Sequence, residues 1–149
     1  INLYAFQPLE LFDTRLHLIA LCGLIAELLY KLFGLFDKLL ISSFDPAILV
    51  VCKKIDKACK TGILYSPDRL ISMKISTRPV SFAKEIGADA LHPFHMYVTR
   101  LYVERAHRAG IQVNPWTVNK ENTAKHLIKL GVDGLITDDA GLMNKLLDK

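Results

Sequence analysis

The distribution of apolar residues changes near residue 40. Beyond this point, short apolar runs recur at intervals of roughly 25 residues and alternate with longer stretches of helical periodicity. The runs lie at 39–43, 62–65, 88–92, 111–116 and 134–137, and an opening run at 1–6 is a candidate for a sixth. Short apolar runs that alternate with helices are typical of parallel βα units.

Four helical patterns after residue 40 begin at a residue that suits an N-cap position. The predicted caps and helices are Asp45 before 47–60, Thr99 before a helix that ends at 109–110, Asn119 before a helix that ends at Leu130, and Asp139 before a helix that ends at Leu147. Repeated βα units either open into a doubly wound sheet or close into a barrel, and periodicity does not decide between the two. No glycine-rich phosphate loop follows any predicted strand, so nucleotide binding has no support.

The segment 9–40 is rich in leucine and contains the longest helical pattern of the chain, at 10–36. A helix that is apolar around most of its circumference is buried, lies in a partner interface or lies in a membrane. Crossing a bilayer takes about 20 predominantly apolar residues, whereas the charge-free window at 16–26 contains His17 and ends at Glu27. The pattern therefore favours a homo-oligomer interface, ahead of binding to a membrane surface.

Composition narrows the class of protein further. The chain has 149 residues, of which 51% are hydrophobic, and this excludes disorder and a disulfide-dense scaffold. The net charge of +4 is scattered along the chain, which favours a solvated surface over nucleic-acid binding. Cys22, Cys52 and Cys59 form no CxxC pair and indicate reduced thiols rather than a zinc site. With no visible secretory signal, these features predict a cytoplasmic protein.

Candidate chemistry lies at the carboxyl ends of the predicted strands, where parallel α/β proteins place their sites. Ser42 and Ser43 are either nucleophiles, with His92 as the base, or hydroxyls that hydrogen-bond a strand end. Trp116 either lines a substrate pocket or closes the core. The full set of strand-end candidates is Tyr4, Ser42, Ser43, Tyr65, His92, Trp116, Thr117, Asn119 and Asp138.

The remaining histidines and acidic residues give weaker indications of chemistry. His92 and His95 flank Pro93, which argues against a helical metal pair. His107 and His126 fall within helical patterns and are expected at the surface or at the edge of the core. In the adjacent pair Asp138 and Asp139, capping of the last helix is favoured over metal binding.

Six motifs, in this order and spacing, resemble the glycerophosphodiester phosphodiesterase family over roughly three quarters of the chain. They are Ile41-Ser42-Ser43-Phe44-Asp45-Pro46, Gly62-Ile63-Leu64-Tyr65, Gly87-Ala88-Asp89-Ala90-Leu91-His92-Pro93, Arg105-Ala106-His107-Arg108-Ala109-Gly110, Pro115-Trp116-Thr117-Val118-Asn119 and Gly131-Val132-Asp133-Gly134-Leu135-Ile136-Thr137-Asp138. The resemblance implies a TIM-type barrel. For the complete enzymes it also implies metal-dependent hydrolysis of glycerophosphodiesters, with Ca²⁺ or Mg²⁺ as cofactor.

The resemblance also shows what this chain lacks. The family's His-Arg, Glu-x-Asp and His-Asp motifs on its early strands are absent, and alignment to its Glu-x-Lys strand places Tyr4 and Phe6 at the functional positions. Neither residue suits a hard divalent cation or a phosphoryl oxygen. We therefore expect no catalytic residue and no bound metal. Trp116 is the one position that the resemblance carries over, as a substrate-binding residue.

These observations predict a single partial-barrel domain over 1–149, with the apolar helical segment at 9–40 and family-like βα units at 38–149. A complete eight-stranded barrel typically takes about 250 residues. The first functional hypothesis is an inactive barrel portion, natural or engineered, that self-associates through 10–36 and an open barrel edge. The alternative is an active glycerophosphodiester phosphodiesterase whose metal ligands come from a partner chain.

Overall fold

The computed structural model describes residues 2–5, 40–66, 75 and 77–147. Six strands and five α-helices follow one another along these residues. They are β1 Asn2–Ala5, β2 Leu40–Ser43, α1 Pro46–Ile55, β3 Lys60–Tyr65, α2 Pro79–Ile86, β4 Ala90–Pro93, α3 Arg100–Arg108, β5 Gln112–Val113, α4 Glu121–Leu130, β6 Gly134–Thr137 and α5 Ala140–Leu147, with a short 3-10 helix at His95–Tyr97. The helix predicted at 10–36 lies outside the described residues.

All strand pairs in the described chain are parallel, as the βα pattern predicted. One sheet has the order β2-β3-β4-β5, and β1 pairs with β6. The chain just after β5 is hydrogen-bonded to β6, since Val118 N donates to Ile136 O at 2.8 Å and Ile136 N donates to Pro115 O at 2.9 Å. The described chain is therefore an α/β structure with parallel strands.

The first strand lies beside the last one. Tyr4 is in register with Ile136, and Asn2 with Gly134. Alignment of this strand with the family's Glu-x-Lys strand would make it a neighbour of β2, so the observed pairing lends that alignment no support. Phe6 lies outside the described residues.

Two helix predictions need correction, and one observed helix was not predicted. The helix after Asp45 ends at Ile55 rather than at residue 60, because Asp56 has an extended backbone and its carboxylate accepts the amide of Ala58 in a tight turn. Helix α4 begins after Lys120 and not after Asn119, whose side chain is engaged elsewhere. Helix α2 was not predicted.

The core forms where the helices cover the strands. Leu49 of α1, Ile63 of β3, Leu91 of β4, Val113 of β5 and Leu127 of α4 are all essentially inaccessible to solvent and belong to one cluster. Burial of one such side chain contributes about 1.5–3 kcal/mol. Among the residues that the structure describes, no helix is both long and apolar enough to cross a bilayer.

Two aspartates fix the amino-terminal edge of the sheet in the same way. Asp89, just before β4, accepts the amide of Thr61 in β3 at 2.8 Å, and Asp133, just before β6, accepts the amide of Val113 in β5 at 2.8 Å. Lys53 lies 2.6 Å from Asp89. Burial alone would raise the pKa of Asp89, but its hydrogen bonds with Lys53 and Thr61 outweigh burial and lower that pKa. The two aspartates at the amino-terminal edge thus stabilise the register of the strands. The carboxyl ends of the strands are where parallel α/β proteins place their functional sites.

Candidate functional site

The carboxyl ends of the strands bring together only some of the predicted residues. Ser42, His92 and Trp116 share direct contacts, although they come from β2, β4 and the loop after β5. Ser43 instead accepts the amide of Asp45 at 3.0 Å in the turn before α1. Tyr65 forms a short hydrogen bond with Tyr102 of α3. Thr117 is half-buried, and for Tyr4 only the backbone is described.

His92 is the centre of this arrangement. Its side chain is only 1% exposed, its Nδ1 lies 2.7 Å from the Ser42 hydroxyl, and its Nε2 lies 3.3 Å from the Asn114 amide nitrogen. Burial lowers the pKa of His92 from 6.5 to about 3, because the charged imidazolium is poorly solvated there. The ring is therefore neutral at physiological pH, with one nitrogen as donor and the other as acceptor.

Gly62 of β3 makes room for the imidazole. An ideal Cβ at this position would lie 2.3 Å from His92 Cε1 and 2.4 Å from Nε2, closer than real Cβ atoms approach other atoms. The ring of His92 thus lies directly against the backbone of the neighbouring strand. This glycine is needed for close approach rather than for an unusual turn.

Asn114, like Gly62, is a site residue whose role the sequence did not predict. It follows β5 directly, is fully buried, and contacts His92 through its side chain. Its Oδ1 has no hydrogen-bond partner among the residues that the structure describes. The available signal was the second of two side-chain amides, Gln112 and Asn114, within the apolar run 111–116, in a position next to a strand end.

An aromatic wall borders the polar group. The indole N–H of Trp116 donates to the main-chain oxygen of His92 at 2.7 Å, and the ring meets Phe44 and Phe94 edge-to-face, with centroids 5.4 and 5.6 Å apart. Such aromatic pairs contribute about 0.5–1.5 kcal/mol each. Trp116 stays half-buried. These contacts hold one side of the indole, while its other side stays partly exposed to solvent.

The other sequence candidates lie apart from this group. His95 is half-buried and stacks on Phe94, and burial together with the charge of Lys120 lowers its pKa. His107 binds Asp133 at 2.8 Å, at the opposite edge of the sheet. His126 is exposed on α4.

Asn119, just before α4, and Asp138, directly after β6, form a separate polar pair. The amide of Asn119 donates to the Asp138 carboxylate at 2.7 Å, and its carbonyl oxygen accepts the Asp138 amide and the Thr137 hydroxyl. Asp139 directly precedes α5, and its amide donates to the Thr137 hydroxyl at 3.0 Å. This network holds the start of the last helix.

The fit of a divalent cation can be judged from the donors at these strand ends. Around His92 they are a hydroxyl, an imidazole with both nitrogens engaged, and an indole, and after β6 Asp138 adds a single carboxylate, which accepts a hydrogen bond from Asn119. Ca²⁺ and Mg²⁺ instead require several oxygen ligands with carboxylates among them. In the described part of the chain, no three His, Cys, Asp or Glu side chains are grouped so that they could hold a metal ion. The described residues therefore do not fit such a cation.

Known proteins similar to this chain in sequence and in structure include glycerophosphodiester phosphodiesterases. A glycerophosphodiester phosphodiesterase of Caldanaerobacter subterraneus is 32% identical over 119 residues, which are 80% of this chain and 46% of the relative. A putative glycerophosphoryl diester phosphodiesterase structure from Silicibacter pomeroyi superposes with a TM-score of 0.71 at 23% identity, over 89% of this chain and 46% of that one.

A phosphodiesterase from Oleispira antarctica, solved with the product sn-glycerol-3-phosphate, superposes with a TM-score of 0.64 at 23% identity over 74% of this chain and 42% of its own. The chain thus spans less than half the length of each of these relatives. The sequence model of the glycerophosphoryl diester phosphodiesterase family matches residues 23–142, four fifths of the chain. The chain belongs to the glycerophosphoryl diester phosphodiesterase family.

Proposed function

We propose that this chain forms the later βα units of a TIM-type barrel and contributes the substrate-facing wall of a glycerophosphodiester phosphodiesterase site, without the metal ligands. The observation that carries this proposal is the donor set at the described strand ends, which holds a neutral polar group and an aromatic wall but no carboxylate cluster. On its own, such a chain does not hydrolyse glycerophosphodiesters.

The complete reaction is hydrolysis of a glycerophosphodiester to an alcohol and glycerol 3-phosphate, a step of lipid metabolism. A divalent cation, bound by residues that lie elsewhere, would supply charge stabilisation for the phosphoryl group. In this chain, Trp116 contacts the carbon skeleton of the substrate and excludes water from that side. Phe44 and Phe94 hold the indole in place, and His92 fixes it through the indole N–H.

The test is hydrolysis of glycerophosphocholine by the purified chain with added Mg²⁺ or Ca²⁺. We expect no release of choline above the rate in buffer, while the Caldanaerobacter relative serves as the positive control. Metal-stimulated turnover by the chain alone would contradict the proposal.

We further propose that the chain self-associates. In the described residues, β2 has a strand neighbour only on the β3 side and β1 only on the β6 side, so each presents an edge of unpaired backbone groups. The apolar segment 10–36 precedes β2 directly and is the expected cover for this edge. Sedimentation velocity at micromolar concentration should give a dimer or a larger species, and a stable monomer would contradict self-association.

The second candidate function is an active enzyme completed by a partner chain that supplies the missing strands. It is supported by the position of Trp116, which is half-buried at the strand ends while its indole N–H donates to the main-chain oxygen of His92. Mixing the chain with the amino-terminal half of a family enzyme should then produce metal-dependent hydrolysis that neither part shows alone. Trp116→Ala should reduce that activity, and equal activity of this variant would exclude the substrate-binding role of Trp116.

The buried thiols and the surface charge of the chain bear on its cellular compartment and on its partners. Cys52 and Cys59 are both buried thiols, which supports placement in a reducing compartment such as the cytoplasm. We propose no nucleic-acid partner, and contact with a membrane surface ranks below self-association. Liposome flotation of the purified chain tests this ranking, since co-flotation would reverse it.

A further inference from the structure

Three polar side chains, from β2, from β4 and from the position just after β5, form a continuous hydrogen-bonded row, from fully buried to exposed. The row crosses β3 at Gly62, where the absence of a side chain leaves room for the His92 ring. Asn114 is inaccessible, His92 is 1% exposed, and Ser42 is exposed at the carboxyl end of β2. The two links measure 3.3 Å, between Asn114 Nδ2 and His92 Nε2, and 2.7 Å, between His92 Nδ1 and Ser42 Oγ. The row ends at a hydroxyl that a ligand can reach.

The orientation of the buried Asn114 amide determines which atom donates in each hydrogen bond of the row. With the amide nitrogen of Asn114 toward His92, its Oδ1 is left without a partner among the described residues. Reversing the amide would instead leave the NH₂ group unpaired, and buried N–H groups without partners are rarer than under-satisfied carbonyls. The first orientation is therefore favoured, and His92 Nε2 accepts.

The tautomer of His92 follows from this orientation. A neutral imidazole whose Nε2 accepts carries its proton on Nδ1, so Nδ1–H donates to Ser42 Oγ. The hydroxyl hydrogen of Ser42 is then not used by His92 and points away from it. Among the described residues, Ser42 Oγ has its hydrogen bond with His92. The hydroxyl is thus an oriented donor on the solvent side of the strand end.

The same arrangement argues against Ser42 as a nucleophile. A serine nucleophile passes its proton to an imidazole that a buried carboxylate stabilises as imidazolium. Here the residue behind His92 is a neutral amide, and burial keeps the pKa of His92 low, so the ring is a poor proton acceptor. The row fixes a hydroxyl rather than activating it.

An unpaired buried acceptor costs about 1–3 kcal/mol, which apolar packing would avoid. The row lies at the carboxyl ends of parallel strands, where α/β proteins bind their ligands, and this position points to a binding role. We propose that the Ser42 hydroxyl, positioned by His92 and Asn114, donates a hydrogen bond to a phosphoryl oxygen of a bound phosphate ester. This inference rests on the proposed function for the class of ligand, and an anionic acceptor gives the stronger bond.

The test combines two measurements on the ¹⁵N-labelled chain. Long-range ¹H–¹⁵N spectra report the imidazole tautomer, and titrations with sn-glycerol 3-phosphate, inorganic phosphate and glycerol report binding. We expect the Nδ1–H tautomer for His92. We also expect Ser42→Ala to weaken binding of both phosphates about tenfold, the effect of one hydrogen bond to a charged group, and to leave glycerol binding unchanged.

Two further variants separate positioning from structural support. Ser43→Ala removes the neighbouring hydroxyl, which serves the turn at Asp45, and should bind phosphate like the parent. Asn114→Asp presents only acceptors to Nε2, and should switch His92 to the Nε2–H tautomer and weaken phosphate binding as Ser42→Ala does. If Asn114 only supported the fold, its replacement would leave the tautomer of His92 unchanged. If Asn114→Asp does not fold, Ser42→Ala still decides the case.

Several results would overturn the inference: an Nε2–H tautomer in the parent, no saturable binding of sn-glycerol 3-phosphate, equal phosphate affinity of Ser42→Ala and parent, or weakened binding of glycerol but not of inorganic phosphate. None of these is a measurement of turnover. Failure of the inference is therefore distinguishable from failure of the proposed function, which the hydrolysis assay decides.

Discussion

Acidification is the perturbation that tests the buried state of His92. In the unfolded chain the imidazole takes up a proton near its ordinary pKa of 6.5, whereas burial lowers the pKa in the folded chain to about 3. Between these values the unfolded state binds more protons than the folded state, so stability falls as the pH falls. The contribution of His92 to stability is complete above pH 6.5 and is lost progressively below it.

The unfolding free energy lost at pH 5 depends mainly on the pKa of His92 in the unfolded chain. One pH unit corresponds to about 1.4 kcal/mol per proton, so the interval from pH 6.5 to 5 corresponds to about 2 kcal/mol. A folded pKa anywhere well below 5 gives the same figure. Asp89 also destabilises the fold on acidification, but its ordinary pKa is 3.8, so its effect falls mostly below this range.

The assay is urea unfolding at pH 7.5 and pH 5, followed by circular dichroism, for the parent and for His92→Gln. The parent should lose about 2 kcal/mol more than the variant between the two pH values. His95, whose pKa is also lowered, is present in both proteins and cancels in the difference. His126→Gln, which removes an exposed imidazole on α4, is the matched control and should behave like the parent. Equal losses in the parent and in His92→Gln would refute the reasoning.

Three further predictions follow from contacts around the site and the opposite edge, each measured by urea unfolding at pH 7.5. Gly62→Ala should destabilise the fold by about 1–3 kcal/mol through overpacking against His92, and the effect should largely vanish in a His92→Ala background; additive effects would contradict the contact. Trp116→Phe should cost about 1 kcal/mol, since the bond to the His92 carbonyl is lost, and an unchanged midpoint would refute that role. Asp89→Asn should cost about 1–3 kcal/mol because Lys53 loses its partner, while Lys53→Met in that background should cost little more.

The strands and the general fold could be predicted because their apolar runs are bounded by clear helix signals. Helix α2 carried such signals too, with Val80, Phe82, Ala83 and Ile86 at helical spacing between Pro79 and a left-handed Gly87, and it was overlooked. Asn119 has the residue type of an N-cap, but its side chain is held by Asp138 across the loop. Tertiary contacts thus overrode a local preference at that position.

The site could be predicted only in part. Ser42 and His92 were linked by chemical reasoning, since a serine and a base at strand ends suggest a pair, and the structure places them in contact. Gly62 and Asn114 were missed because their roles depend on the register between strands, which aligns Gly62 with Ala90 and Leu64 with His92. Register is a long-range property, and one sequence does not display it.

The proposed function assigns this chain the substrate-facing wall of a glycerophosphodiester phosphodiesterase site without the metal ligands. Calorimetric titration of the purified chain with Mg²⁺ and with Ca²⁺ is its sharpest test. We expect no saturable binding below about 1 mM, the weak end of protein sites for such ions. Stoichiometric binding at micromolar concentration by the chain alone would contradict it.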